Sequence, residues 1–400
     1  MRFAEQMIVV AVGWQVYAIH RDPLDLGLIG LAEFVPLPLL ALPAGQLSDR
    51  LPRRLVLALG LGMNLLVTAL LLVVTLHGAR SLWPFLGLAA ATGVANSIGW
   101  PAYSALTPEL VPPELVPGAM ALRSVASQTA VITGPAVGGV LFAARPQLVY
   151  AVAVGLFAVA VTAIAALRTP AVAPELGDEA TPGFRDLSAG VRFVLQTRML
   201  LGAISLDLFA VLFGGGIALL PIYARSILHV GPIGLGVLRS APAIGALACA
   251  AILARRPLRR PAGPTLLAAV GVFGLACAVW GASHWLPLTL AGLAVAGFVD
   301  MVSVNIRSST VALVTPNELL GRVSAVEMVF ISASNELGAF ESGAIAKLVG
   351  TVTSVVAGGV ATIAIAASWT RLFPALARLG RLEDLHRERP LAQGSLRSGT

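Results

Sequence analysis

The chain has 400 residues, of which 57% are hydrophobic and 12% charged, with a mean hydropathy of +0.87. Soluble domains carry about 25% charged residues, so the polar material needed to cover a water-facing surface is missing, and the same hydrophobicity excludes disorder. Two cysteines in apolar runs, Cys249 and Cys277, exclude a disulfide framework; the net charge of +7 sits in short arginine clusters between apolar runs, a topology signal rather than a nucleic-acid surface; and Lys347, the only lysine, leaves no GxxxxGK[ST] phosphate loop.

Apolar runs bounded by turn and charge signals predict twelve membrane spans, for which about 240 residues suffice at about 20 each. The first lies near Phe3 to Ile19, the second near Leu26 to Leu47, the third near Leu55 to Leu76 and the fourth near Trp83 to Leu106. The fifth runs from Gly118 to Phe142 and the sixth from Leu148 to Leu167. After a polar stretch come spans near Met199 to Pro221, Ile233 to Leu253, Thr265 to Trp280, Leu286 to Val314, Arg322 to Val349 and Val352 to Phe373. The expected fold is therefore an all-α membrane protein: a six-helix bundle over 1–167, a linker over 168–198, a second six-helix bundle over 199–373 and a tail over 374–400. Within the linker, Leu187, Val191, Val194 and Leu195 recur at helical spacing, predicting an interfacial amphipathic helix over Phe184 to Met199.

Arginine counts in alternate loops differ sharply. One side holds Arg50, Arg53, Arg54, the linker, Arg255, Arg256, Arg259, Arg260, Arg322 and the tail; the other holds Arg21, Arg80, Arg145, Arg225 and Lys347. The positive-inside rule then places both termini in the cytoplasm. The first span has an apolar run of only 13 residues, Met7 to Ile19, short for a bilayer core of about 30 Å. The expectation is that the natural start lies upstream and that this span is truncated.

The halves repeat. Gly30 and Pro38 of the second span recur as Gly234 and Pro242 of the eighth, and Thr107-Pro108 recurs as Thr315-Pro316. Such a parallel repeat places a substrate site between two bundles.

Three motifs carry a resemblance. Gly45-Gln46-Leu47-Ser48-Asp49-Arg50-Leu51-Pro52-Arg53-Arg54 places an acidic residue in the most basic short loop. It resembles the gate motif Gly-x-Leu-x-Asp-Arg-x-Gly-Arg-Arg of the major facilitator superfamily, with Pro52 in place of the second glycine. Gly134-Pro135-Ala136-Val137-Gly138-Gly139 matches the end of that superfamily's exporter and antiporter motif, with Ala130 where a further glycine is expected; small residues also serve plain close packing in membrane helices. Asp300 to Arg307, Gly321 to Ala325, Ser334 to Gly338 and Phe340 to Gly343, with Leu206 to Phe209, are similar to the bacterial branch that includes the enterobactin exporter. The resemblance implies alternating access, a small-molecule substrate, proton antiport, no cofactor and no metal. It also places Asp49 beside the start of the eleventh span near Arg322, as a latch on the closed cytoplasmic gate.

Ionisable residues inside the spans are the candidates for coupling, since each costs about 2.5 kcal/mol or more at mid-bilayer. Asp207, Asp300, Glu33 and Glu336 are the carboxylates at depth, and Arg307, Arg123 and Arg239 the arginines. Each carboxylate has a structural alternative as an interhelical hydrogen bond or ion pair. Arg307 lies two turns from Asp300, too far for a direct pair, and all three arginines have snorkelling as an alternative. Glu327 is expected near a membrane face, where solvation is cheap. Trp14, Tyr17, Trp100, Tyr103, Phe209 and Phe213 offer aromatic surface to the cavity, or to lipid and neighbouring helices.

The combined expectation is a monomeric, proton-coupled secondary exporter of a hydrophobic or siderophore-like compound in a bacterial inner membrane. It is not expected to be an enzyme or to bind nucleic acid. Facilitated uptake and a membrane enzyme on lipid-linked substrates are the alternatives.

Overall fold

The computed structural model describes residues 1–40, 51–78, 80–167, 184–256 and 260–381. Among the described residues there is no strand. The first half carries α1 (Arg2–His20), α2 (Pro23–Phe34), α3 (Arg53–Leu76), α4 (Trp83–Glu109), α5 (Val116–Ala144) and α6 (Pro146–Ala166). The second carries α7 (Arg198–Gly214), α8 (Gly231–Arg255), α9 (Ala262–Ala282), α10 (Leu286–Val314), α11 (Asn317–Val349) and α12 (Thr351–Leu372). Residues 36–40 prolong α2, and α7 runs on through a 3₁₀ turn, one helical turn and a π turn to Ile227. Nine helical segments among the described residues are long and apolar enough to cross a membrane; α1, α4 and α11 complete twelve.

Helix boundaries follow local chemistry. Proline occupies the first turn of α2, α6, α8 and α10, where its missing N–H is not needed. Arg21, in the left-handed region at φ 56°, ends α1, and the Asp22 carboxylate then caps α2 by accepting from the Leu24 N–H at 3.0 Å. Two sequence expectations shift. Helix α1 has 19 residues, about 28 Å, against the 13-residue apolar run, because its first turn is polar and the Arg2–Glu5 pair at 3.6 Å lies within it. Helix α11 starts at Asn317, right after Pro316, rather than near Arg322.

Within the first bundle α3 packs on α4 and α6, and α1 on α5 and α6; within the second, α9 packs on α10 and α12, and α8 on α10. Separate apolar cores sit in the two, one around Val56, Leu57, Leu61, Ala102 and Phe157, the other around Leu206, Leu266, Ile306 and Leu376. The bundles meet along two seams, α2 with α11 and α5 with α8.

Glycines let these seams close. A Cβ on Gly27 would crowd the Phe340 backbone at 2.9 Å, one on Gly343 would meet Pro23 O at 2.9 Å, and one on Gly30 would stand 2.8 Å from Glu336 Oε2. On the other seam, Gly139 is pressed on Pro232 and Gly236 on Pro135, and Ser240 Oγ donates to Ile132 O at 2.5 Å. All of these lie in the halves nearer the arginine-poor face. Along the same stripes toward the arginine-rich face, Ala121 and Val125 of α5, Ile244 and Leu247 of α8, and Met328 and Val329 of α11 are exposed. The bundles therefore enclose a cleft that is shut at the arginine-poor face and open at the arginine-rich one.

The linker helix Phe184–Gln196 lies against α11 and α7: Val194 is buried, and Gly190 sits so near Arg322 that a Cβ would be 2.9 Å from its carbonyl oxygen. Residues 168–183 of the expected linker fall outside the described residues. The start of the tail folds back, burying Leu376 and Leu379 and joining Gly380 O to Ala262 N at 2.8 Å.

Close helix approach generates a stability test. A methyl on Gly245 would collide with the Ala294 carbonyl, whereas one on Gly271 would meet nothing within 4 Å. Gly245→Ala should cost about 1–3 kcal/mol by overpacking, and Gly271→Ala should be neutral; thermal unfolding of the two variants in one detergent reads the difference.

Candidate functional site

The innermost cross-bundle contacts, Gly30 with Glu336 on one seam and Ser240 with Ile132 on the other, mark the apex of the cleft. Charged side chains converge there. Glu33, three residues beyond Gly30 on α2, accepts from Asn96 Nδ2 of α4 at 3.4 Å, and Asn96 Oδ1 in turn accepts from Asn64 Nδ2 of α3 at 3.4 Å. Glu336 interacts electrostatically with both Glu33 and Arg239 of α8, and Glu5 reaches Glu33 from α1. Thus α1, α2, α8 and α11, from both bundles, each contribute an ionisable group to one place.

A second cluster lies wholly within the second bundle. Arg307 of α10 is 3% exposed, which removes snorkelling for this residue. Its Nη1 pairs with Asp207 Oδ1 of α7, and its Nε donates to Glu327 Oε1 of α11 at 2.9 Å. Glu327 is thus bound to a buried guanidinium rather than solvated at a membrane face. Counted along their helices, Arg307, Asp207 and Glu327 lie at about 10, 14 and 15 Å from the arginine-rich ends, so depth alone aligns them. Asp300 is not an ion-pair partner of Arg307; together with Asp207, Ser303 and Phe273 it lines a cavity of about 10 Å³ between α7, α9 and α10, room for one water.

Other expected site residues are placed as follows. Arg123 stacks over Tyr103 at 5.2 Å and, about three turns before Gly134, shares its α1-facing side of α5. Gly134 and Gly138 admit α1 at Gln6 and Met7, while Pro135 and Gly139 face α8. Gly45, Asp49 and Arg50 lie outside the described residues. Arg54 donates through Nε to Ile164 O at 2.9 Å and through Nη2 to Ala165 O, tying α3 to the end of α6. Arg53 is exposed, and Arg322 backs on the linker helix. Among the aromatics, Arg2 lies over Trp100 at 3.9 Å, whereas Phe209 packs on Phe213 and on Trp369 of α12, away from the cleft.

At the closed face the seams are reinforced by polar bonds between residues far apart in the chain. Lys347 at the end of α11 binds Asp22 of the α1–α2 turn at 2.5 Å, and Tyr17 bonds Ser226 at 3.1 Å. Burial acting to raise the Asp22 carboxyl is outweighed by Lys347 and the Leu24 N–H, which together hold it below the usual aspartate value. The bridge is therefore complete at neutral pH and is lost only as pH falls through that lowered value.

A family model described as transmembrane secretion effector matches residues 3–389. The chain belongs to that family of major facilitator transporters. Among curated relatives, the multidrug efflux pump Tap of Mycolicibacterium fortuitum is 27% identical over 354 residues, 86% of this chain and 85% of that protein. The uncharacterized MFS-type transporter YfiS of Bacillus subtilis is 26% identical over 297 residues, 72% and 67% of the two chains. In fold, the nucleoside transporter NupG superposes with a TM-score of 0.73 at 12% identity, covering 93% of this chain and 96% of that one. A bacterial homologue of the lysosomal transporter Spinster, in an inward-facing and unoccupied conformation, gives 0.72 at 15% identity, covering 94% and 95%. The family member described here is thus a multi-pass membrane transporter with a major facilitator fold.

The triad also yields a stability test. Arg307→Met leaves two carboxylates buried without their cation and should cost about 3–5 kcal/mol. Asp300→Asn breaks no ion pair and should leave the thermal unfolding temperature within a few degrees of wild type.

Proposed function

We propose that this transporter exports a hydrophobic or siderophore-like small molecule from the cytoplasm across a bacterial inner membrane, exchanging it for protons by alternating access. The observation that carries the reading is the cleft itself: open at the arginine-rich face, closed at the other, with ionisable groups from both bundles at its apex. Placing the arginine-rich face and both termini in the cytoplasm follows the positive-inside rule. The family description and the efflux-pump relative favour export. Uptake is the second reading, favoured by the likeness to a nucleoside transporter in fold alone.

Rocking the bundles would open the seams at Asp22–Lys347 and Tyr17–Ser226 and close the exposed stripes of α5, α8 and α11. Protons would enter from the opposite face, the carboxylates at the apex and at Asp207 and Asp300 providing sites where a charge is removed by protonation rather than by water. Asp49, by resemblance, would latch the cytoplasmic gate once it closes.

In everted vesicles carrying a panel of hydrophobic dyes and iron chelators, the wild-type chain should accumulate at least one compound, and a protonophore should abolish accumulation. Asp207→Asn and Asp300→Asn should each reduce gradient-driven accumulation while inserting normally, because an amide keeps size and hydrogen bonding but cannot take up a proton. Accumulation in both variants at wild-type rates would remove these two residues from coupling, and accumulation insensitive to the protonophore would remove the coupling altogether.

The closed face gives an independent check. With Cys249 and Cys277 replaced, a disulfide or short thiol cross-link between Asp22→Cys and Lys347→Cys should form readily and stop transport, and reduction should restore it. Transport at full rate in the cross-linked protein would show that this face does not open.

A further inference from the structure

One group at the apex is left without what its chemistry requires. Arg239 lies between Gly236 and Ser240, two residues by which α8 touches α5, and thus stands beside the seam at the level of the apex. Its Nε is buried and has no hydrogen-bond partner, and among the described residues no carboxylate forms an ion pair with its guanidinium. Glu336 attracts it from α11 without contact, its own carboxylate being packed on Gly30.

The surrounding charges make this an unequal contest. Glu5 is held by Arg2 at 3.6 Å and Glu33 accepts from Asn96 at 3.4 Å, and any of the three carboxylates can become neutral by taking a proton. A guanidinium has no such escape: it stays charged, offers five N–H donors and accepts nothing. The unmet demand at the apex is therefore for an anionic acceptor, and the planar fork of an arginine matches a carboxylate in two parallel hydrogen bonds. Nearer the arginine-rich face, the exposed side chains on the same helix stripes are apolar: Val125, Ile244, Leu247 and Val329.

We propose that Arg239 is the anchor for an anionic group of the carboxylate class on the transported compound, whose apolar body lies along the cleft. The proposal rests on reading the cleft as the transport site. Glu336 then serves as resident counter-ion in the empty carrier, displaced when cargo takes its place. This makes Arg239 the residue that separates organic acids from neutral and cationic compounds of the same size.

The test uses the full chain in lipid nanodiscs and three probes of one shape: 1-naphthoate, uncharged 1-naphthamide and 1-naphthylmethylammonium, with affinities measured by equilibrium dialysis. Naphthoate should bind, and naphthamide should bind about tenfold more weakly or worse, the scale of a lost charged hydrogen bond. Arg239→Gln should lose naphthoate by a similar factor and Arg239→Lys should recover part of it, with thermal unfolding confirming that both variants fold. Naphthoate should also shield Val125→Cys, in a chain without Cys249 and Cys277, from a water-soluble maleimide. No binding of naphthoate to wild type, or binding unchanged in Arg239→Gln, overturns the proposal. Preference for the ammonium probe, lost in Glu33→Gln, overturns it too while leaving the cleft as the transport site. Failure of every probe to shield Val125→Cys counts against both the anchor and the cleft reading.

Discussion

Backbone distance is the constraint on which this molecule turns. In hydrocarbon no water rescues an unpaired peptide group and no hydrophobic force draws helices together, so association depends on how closely surfaces fit. Glycine or proline backbone lies on one or both sides of most close contacts across the seams: Gly27 and Gly343 between α2 and α11, Pro135, Gly139, Gly236 and Pro232 between α5 and α8. Because these small residues are confined to one half of each helix, the bundles fit there and separate beyond. The cleft is what remains where close packing stops.

Charge is then distributed by the same economy of contact. Arg307 is tolerable in the second bundle because Asp207 and Glu327 meet it from two other helices, and removing the arginine would strand both carboxylates. The apex groups are arranged differently. Glu33, Glu336 and Arg239 come from helices belonging to different bundles and form no ion pair with one another. Tight pairing gives a bundle that moves as a body; loose pairing between bundles leaves the mutual energies of those groups sensitive to that movement.

Much of this was legible before any coordinates. Hydropathy and turn signals mark the described span ends to within about five residues, the end of the second span lying outside the described residues, and the helical spacing of Val191 and Val194 marks the linker helix, because both depend on local pattern. The arginine triad is hidden in the sequence for a specific reason: spacing relates Arg307 only to Asp300 on its own helix, whereas its partners Asp207 and Glu327 stand at matching depth on others. Depth is readable from sequence; azimuth around a helix, which decides whether groups at one depth meet, is not. Phe209 shows the same limit, since its turn toward Trp369 of α12 rather than the cleft depends on how α7 is rotated. The polar first turn of α1 was undervalued because hydropathy counts Arg2 and Glu5 as outside, whereas an ion pair and a stacked indole let a helix continue through them.

The irregular end of α7 says where the molecule parts. Tyr223, in the π turn, donates to Gly281 O of α9 at 2.5 Å in a fully buried bond, while three residues later Ser226 meets Tyr17 of α1 at 3.1 Å in a partly exposed one. Breaking the first strands a carbonyl in a dry interior; breaking the second lets water replace what is lost. If the bundles separate at the closed face, the parting would therefore run between Ser226 and Tyr17, and the distorted tip of α7 would stay with α9.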